Sequence, residues 1–219
     1  MKSKNLQSAI ILGGLAFFGS LGHAGVIDLS SSAANTTNST SSPTLDIPAN
    51  PAWSTFANTS WVSYTQSGNP YASNFVLVPN GTIVTFTDTF TINGTPTGGT
   101  VSVMADDTTS VSLNGTALMA AASTLNNTYA TCSDFAIGCT NATAGKITLN
   151  GLKSGVNTLT FNVEQIAGTS YGLDYSGQVN YTAASSAPEP QSGVLALMAL
   201  PIIAFVIVLR KRLAEANQA

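Results

Sequence analysis

Six carboxylates in the body of this 219-residue chain have the chemistry to act as acids, bases or ligands: Asp88, Asp106, Asp107, Asp134, Glu164 and Asp174. Two of them flanking one glycosidic bond would suffice for hydrolysis, one as acid and the other as base or nucleophile. No motif pairs any two of them, and each has a plainer job as a solvated or capping carboxylate. Asp106 and Asp107 close a strand-like run. Hard oxygen ligands at a loop suit Ca²⁺, but neighbours in a continuing strand point to opposite faces, so joint ligation needs a bend between them. Their plainer role is to accept backbone N–H bonds at a strand end. The expectation is a protein that is not an enzyme, without catalytic residues or a required cofactor, with Ca²⁺ as the ion that the Asp106 and Asp107 pair would take.

Six aromatic side chains offer faces on which a sugar ring can stack: Trp53, Trp61, Tyr64, Tyr71, Tyr171 and Tyr175. The same residue types fill cores, and the sequence alone does not separate the two uses. The single histidine is His23. It precedes the body, which therefore has no imidazole for a Ser/His or Cys/His pair or for a His-based metal site. Residues 25–187 hold two basic side chains, Lys146 and Lys153, against eight acidic ones and no arginine. Without a basic footprint to neutralise phosphates, nucleic acid is excluded as a partner. Cys132 and Cys139 flank six residues. In an oxidising compartment they are expected to close a small structural disulfide, since a redox pair wants a tighter Cys-x-x-Cys spacing.

The terminal segments argue for export. Lys2 and Lys4 precede an apolar run over 9–18, and small residues lead to a cut after Ala24. That is the layout of a secretory signal peptide over residues 1–24. At the other end, residues 194–209 carry no charge and, as a helix, would span about 25 Å. Ser192 and Gly193 extend the run, and snorkelling basic stems narrow the remaining mismatch with a bilayer. Arg210, Lys211 and Arg212 follow directly and are the positive-inside topology signal, which keeps the tail at 213–219 cytoplasmic.

Pro188-Glu189-Pro190, a single hydrophobic helix over 193–209 and the basic cluster stand in an order that resembles the PEP-CTERM sorting signal, here spanning 184–212. The resemblance implies a Gram-negative, usually exopolysaccharide-producing bacterium. It also implies an exosortase in the inner membrane that reads the tripeptide and sends the body from an inner-membrane-anchored precursor to the cell surface or extracellular matrix. Seven residues follow the basic cluster, where members of that family usually stop almost at once.

Between the terminal signals, residues 25–50 are rich in Ser, Thr and Asn and poor in buriable surface, which predicts a flexible lead. Residues 51–183 turn to short alternating runs of Val, Thr, Ile and Phe closed by Gly, Asn or Pro, the pattern of an antiparallel all-β domain. Strands are expected near 60–64, 74–78, 82–92, 100–105, 110–113, 146–149, 157–164 and 173–181. Residues 117–122 suit either a helical turn or a strand. In 82–92, Val84, Phe86, Phe90 and Ile92 share a face with one charged residue, Asp88.

Two blocks carry a second resemblance. A strand ending in Asp106-Asp107 leads to one ending in Asn114-Gly115, and Leu152, Gly155, Asn157 and Leu159 open a later strand. Together they look like the galactose-binding-like jelly-roll β-sandwich, over roughly residues 53–182. The function expected on these grounds is that of an exported, non-enzymatic surface or matrix protein associated with exopolysaccharide and biofilm. The alternatives are a lectin-like carbohydrate-binding module and a secreted glycoside hydrolase.

Overall fold

The structure, a computed structural model, describes residues 23–121, 139–166, 168–184, 210 and 215. Among them, eleven strands run in chain order: β1 Ala24–Ser30, β2 Thr36–Asn38, β3 Leu45–Asp46, β4 Val62–Ser63, β5 Ile83–Ile92, β6 Gly94–Asp106, β7 Thr108–Leu113, β8 Thr116–Met119, β9 Gly145–Thr148, β10 Gly155–Glu164 and β11 Gly172–Ala183. All pairings are antiparallel. One sheet has the order β3-β4-β11-β6-β9, with β1 also on β11, and the other runs β2-β5-β10-β7-β8. The described domain is thus an all-β sandwich.

The period-2 pattern decides which residues form the core. Along β10, Leu159, Phe161 and Val163 are fully buried while Thr158, Thr160 and Asn162 are only partly so. On β5, Val84, Phe86, Asp88, Phe90 and Ile92 all face inward, as the alternation predicts. These side chains meet Val101 and Val103 of β6 and Leu173, Tyr175 and Val179 of β11 in one cluster between the sheets. A second, smaller cluster joins Ile47, Trp53, Trp61, Met104 and Cys139, with Trp53 and Trp61 stacked at 4.1 Å between ring centroids.

The stretch 25–50 is where the structure departs most from expectation. It is built into the sandwich: β1 lies along β11, β2 along β5, and β3 along β4. Composition misleads here because the anchors are mostly hydroxyls. Ser31 Oγ donates to Asp174 at 2.8 Å, Thr36 Oγ1 lies 2.9 Å from the Tyr175 hydroxyl, and the apolar contribution of β1 is chiefly Leu29. The domain expected to start at residue 51 therefore starts at Ala24. Residues 74–78, expected as a strand, lie in the long connection between β4 and β5, where Val76 and Leu77 are exposed and only Val78 is buried. Over 117–122 the strand alternative holds, since β8 reaches Met119.

The described residues from 23 to 184 form one compact unit. Outside it the described residues are Arg210 and Glu215, both helical and exposed. No helix among the described residues is long and apolar enough to cross a membrane. The sorting tripeptide, the span at 193–209, Lys211, Arg212 and nearly all of the signal peptide lie outside the described residues.

Candidate functional site

The carboxylates singled out by chemistry mostly have structural employment. Asp174 is fully buried; its Oδ1 accepts from Ser31 and its Oδ2 accepts the Phe56 N–H at 3.0 Å, which ties β11 to the segment carrying Phe56. Burial pushes its carboxyl above the usual range, and the Thr59, Phe56 and Ser31 hydrogen bonds offset part of that. Asp88, 6 % exposed, accepts from the Tyr175 hydroxyl across the core at 3.1 Å, and burial likewise raises its carboxyl. Glu164 ends β10, half-buried, and its carbonyl accepts the Asp107 N–H. Asp134 lies outside the described residues.

The bend that joint metal ligation requires is present, since β6 stops at Asp106 and β7 starts at Thr108. Both aspartates are buried there, and Asp107 Oδ2 accepts the Ile166 N–H. Among the described residues no group of three His, Cys, Asp or Glu side chains is arranged to hold a metal ion. Ca²⁺ takes six to eight oxygens, so the pair by itself does not make a calcium cage. The strand-end role, accepting a backbone N–H, is the one Asp107 fills.

The aromatic candidates separate clearly. Trp61, Tyr171 and Tyr175 are fully buried, and Trp53 is 8 % exposed. Tyr64 is half-buried edge-on to Tyr171, with burial raising its phenol above the usual range. Tyr71 alone of the six presents its ring, at 85 % exposure. The loop that carries it is held by its own hydrogen bonds. Asn69 Oδ1 accepts the Tyr71 N–H, Ala72 N bonds to Asn69 O, and Val76 N bonds to Gln66 O at 2.7 Å. At its base, Ser67 exchanges bonds with the Tyr171 backbone, donating from Oγ at 2.7 Å and accepting at its carbonyl. Residues 47–87 contain no charged side chain at all, so the tip is an aromatic and aliphatic surface in an uncharged setting.

A polar cleft of about 290 Å³ lies between β1 and β5, where the two sheets part; Asp28, Ser30, Asn35, Asp88 and Thr89 line it. Asn35 Nδ2 donates to the Ser30 carbonyl at 3.4 Å, and Gln178 Nε2 donates to Asp28 at the same distance. Sequence reasoning missed Asp28, Ser30 and Asn35, because the cleft forms only when β1 packs on the sandwich. At the opposite margin a groove of about 510 Å³ runs between β8 and β9, with Leu118, Met119, Lys146 and Thr148 in its wall.

The two blocks that suggested a jelly roll also meet in space. Asn114 and Gly115 both have positive φ, 52° and 81°, as a two-residue hairpin turn between β7 and β8 requires. Asn114 Nδ2 donates to Asn157 Oδ1 at 3.0 Å and Asn114 Oδ1 accepts the Thr158 N–H, so this turn is pinned to the start of β10. Asn157, fully buried, also accepts the Lys153 N–H and donates to the Lys153 and Gly155 carbonyls. Cys139 is buried in the smaller cluster, where its carbonyl accepts the Ser54 N–H at 2.6 Å; Cys132 lies outside the described residues.

These observations define an antiparallel two-sheet β-sandwich with an exposed aromatic tip and a polar marginal cleft. No family model matches the chain, and no curated protein matches it significantly. Among solved structures it is similar to a family 35 carbohydrate-binding module from Clostridium thermocellum, with 10 % identity, a TM-score of 0.40, and coverage of 69 % of this chain and 97 % of that one. A Streptomyces avermitilis alpha-L-rhamnosidase complexed with L-rhamnose is similar at 19 % identity and a TM-score of 0.39, over 75 % of this chain and 15 % of that one. An exo-beta-1,3-galactanase from Phanerochaete chrysosporium follows at 19 % identity and 0.34, over 70 % of this chain and 29 % of that one. The chain therefore spans less than a third of the length of either enzyme.

Proposed function

We propose that the protein is an exported, non-enzymatic sandwich that binds neutral glycan outside the cell and associates with exopolysaccharide there. One observation carries the reading: of six candidate stacking rings, Tyr71 is presented to solvent, on a hydrogen-bonded loop within a 41-residue stretch free of charge. An exposed aromatic face matches the C–H face of a pyranose, and fixing the loop in advance lowers the entropy cost of binding. The acidic body, with six more carboxylates than ammonium groups over 25–187, favours neutral over acidic polysaccharide. Delivery follows from the terminal signals: export through residues 1–24, an inner-membrane precursor held by 193–209, and exosortase processing at Pro188-Glu189-Pro190. The test is a glycan array followed by affinity electrophoresis. Saturable, sugar-competed binding is expected, weakened at least about tenfold in Tyr71→Ala at unchanged melting temperature. Absence of saturable binding to any neutral glycan would overturn the proposal.

Hydrolysis is the second reading, and one observation favours it. Asp28 and Asp88 line the same cleft, and burial raises the Asp88 carboxyl, which is how a glycosidase keeps one of two carboxyls protonated. Release of reducing ends from exopolysaccharide, abolished in Asp28→Asn and Asp88→Asn alike, would establish it over the binding reading.

A further inference from the structure

The export cut and the fold claim the same backbone. Residues 1–24 read as a signal peptide with a cut between Ala24 and Gly25, yet β1 already begins at Ala24. Its ladder with β11 places Ala24 opposite Thr182 and Gly25 opposite Tyr181, and one residue earlier the His23 carbonyl accepts the Ala183 N–H at 2.8 Å. Both residues of the scissile bond are therefore in β pairing, and His23 adds one further backbone bond beside it. The Tyr181 ring also lies so close over Gly25 that a Cβ placed there would overlap its Cζ, Cε1 and hydroxyl.

We infer that docking of β1 on β11 withdraws the Ala24–Gly25 bond from processing, so that the N-terminal cut is made on a chain whose first strand is still free. The inference rests on the signal-peptide reading. A processing protease holds its substrate as an extended strand, bonding to the backbone groups that β11 occupies here, and delivers its nucleophile to the carbonyl carbon from above the peptide plane. Among the described residues β1 pairs along one edge only, but the Tyr181 ring covers a face of the strand beside the scissile bond. Hydrolysis consumes one water: the C–N bond breaks, Ala24 leaves as a carboxylate and Gly25 becomes an ammonium terminus. The cut also removes the Ala24 rung and the His23 acceptor. The end of β11 is then held from the β6 side alone, by Gly94 opposite Ala183 and by the bond from Ala184 N to Asn93 O.

The experiment uses the purified full-length precursor and bacterial signal peptidase in detergent, with cut sites read by mass spectrometry. Folded precursor is expected to be cut at least about tenfold more slowly than precursor diluted from urea immediately before assay. Folded Tyr181→Ala, whose scissile sequence is intact, should be cut at an intermediate rate. In the processed protein the Ala183 amide should exchange its hydrogen faster than in the precursor. Equal rates for folded and unfolded wild type would overturn the inference while leaving the signal peptide in place. Failure of the unfolded chain to be cut between Ala24 and Gly25 would remove the signal-peptide reading and the inference with it.

Discussion

The Tyr175 hydroxyl, carried by β11, crosses the sandwich and donates to the Asp88 carboxylate on β5 at 3.1 Å, while Thr36 of β2 lies 2.9 Å from the same hydroxyl. One phenol thus joins three strands from two sheets. Phe161 stacks on its ring at 4.6 Å between centroids, so the polar link is enclosed by apolar surface. Burial raises the phenol far above its usual range, with the neighbouring Asp88 charge adding to the effect, and the hydroxyl stays protonated throughout the range in which proteins are handled.

Stability should depend on pH through Asp88 and Asp174. Burial raises both carboxyls above an unfolded value of about 4. The folded state therefore keeps their protons to higher pH than the unfolded chain does. Their contribution is fully present below about pH 4 and is lost as pH rises through the raised folded values. Asp88→Asn removes one such group and retains an acceptor for Tyr175. The melting-temperature difference, variant minus wild type, should accordingly grow from pH 4 to pH 7. A difference that shrinks over that interval would contradict the assignment.

Phe161→Ala empties a fully buried aromatic site beside Tyr175 and should cost about 3 to 5 kcal/mol. Chemical denaturation would measure this as a lower midpoint at constant slope. A melting temperature within a degree of wild type would mean that the strand phase is misassigned.

Asn157→Ala removes the amide that joins the turn before β10 to the β7–β8 hairpin, and strands several backbone groups in a buried setting. A loss of about 1 to 3 kcal/mol is expected. Double-mutant analysis with Asn114→Ala should give strongly non-additive losses, because the two amides share a bond.

Cys132 and Cys139 are expected to be bonded to each other in the exported protein. So short a loop contributes about 2 kcal/mol by loop-closure reasoning. Thiol titration of unfolded, unreduced protein should find no free sulfhydryl, and two per chain would refute the pairing.

Processing at the C-terminus should depend on Glu189. The flanking prolines hold the tripeptide extended, so Glu189→Ala keeps the backbone and removes its one charge. Uncut protein should accumulate in the inner membrane. Replacing Arg210, Lys211 and Arg212 with Ser should instead disturb orientation. Mass spectrometry of the extracellular form reads the result, and a surface protein that keeps residues 194–212 in wild type and variant alike would leave only a simple anchor.

Local patterns were enough for β5 and β10, two inner strands of one sheet. Alternation in 82–92 and 157–164 is a consequence of side chains taking opposite faces of a strand, so burial of Phe86, Leu159 and Phe161 follows from spacing alone. Asn114-Gly115 likewise announces its turn, because few other pairs accept two positive φ angles. The placement of residues 25–50 was decided only by tertiary structure. A Ser- and Thr-rich segment has too little apolar surface to order itself, and what holds it is the presence, elsewhere in the chain, of Asp174 and Tyr175 as buried partners for Ser31 and Thr36. The same holds for the aromatics. Tyr71 and Tyr175 are one residue type with opposite fates, one exposed on a loop and the other on β11 with its side chain buried between the sheets. That difference lies in long-range pairing, which no local window contains.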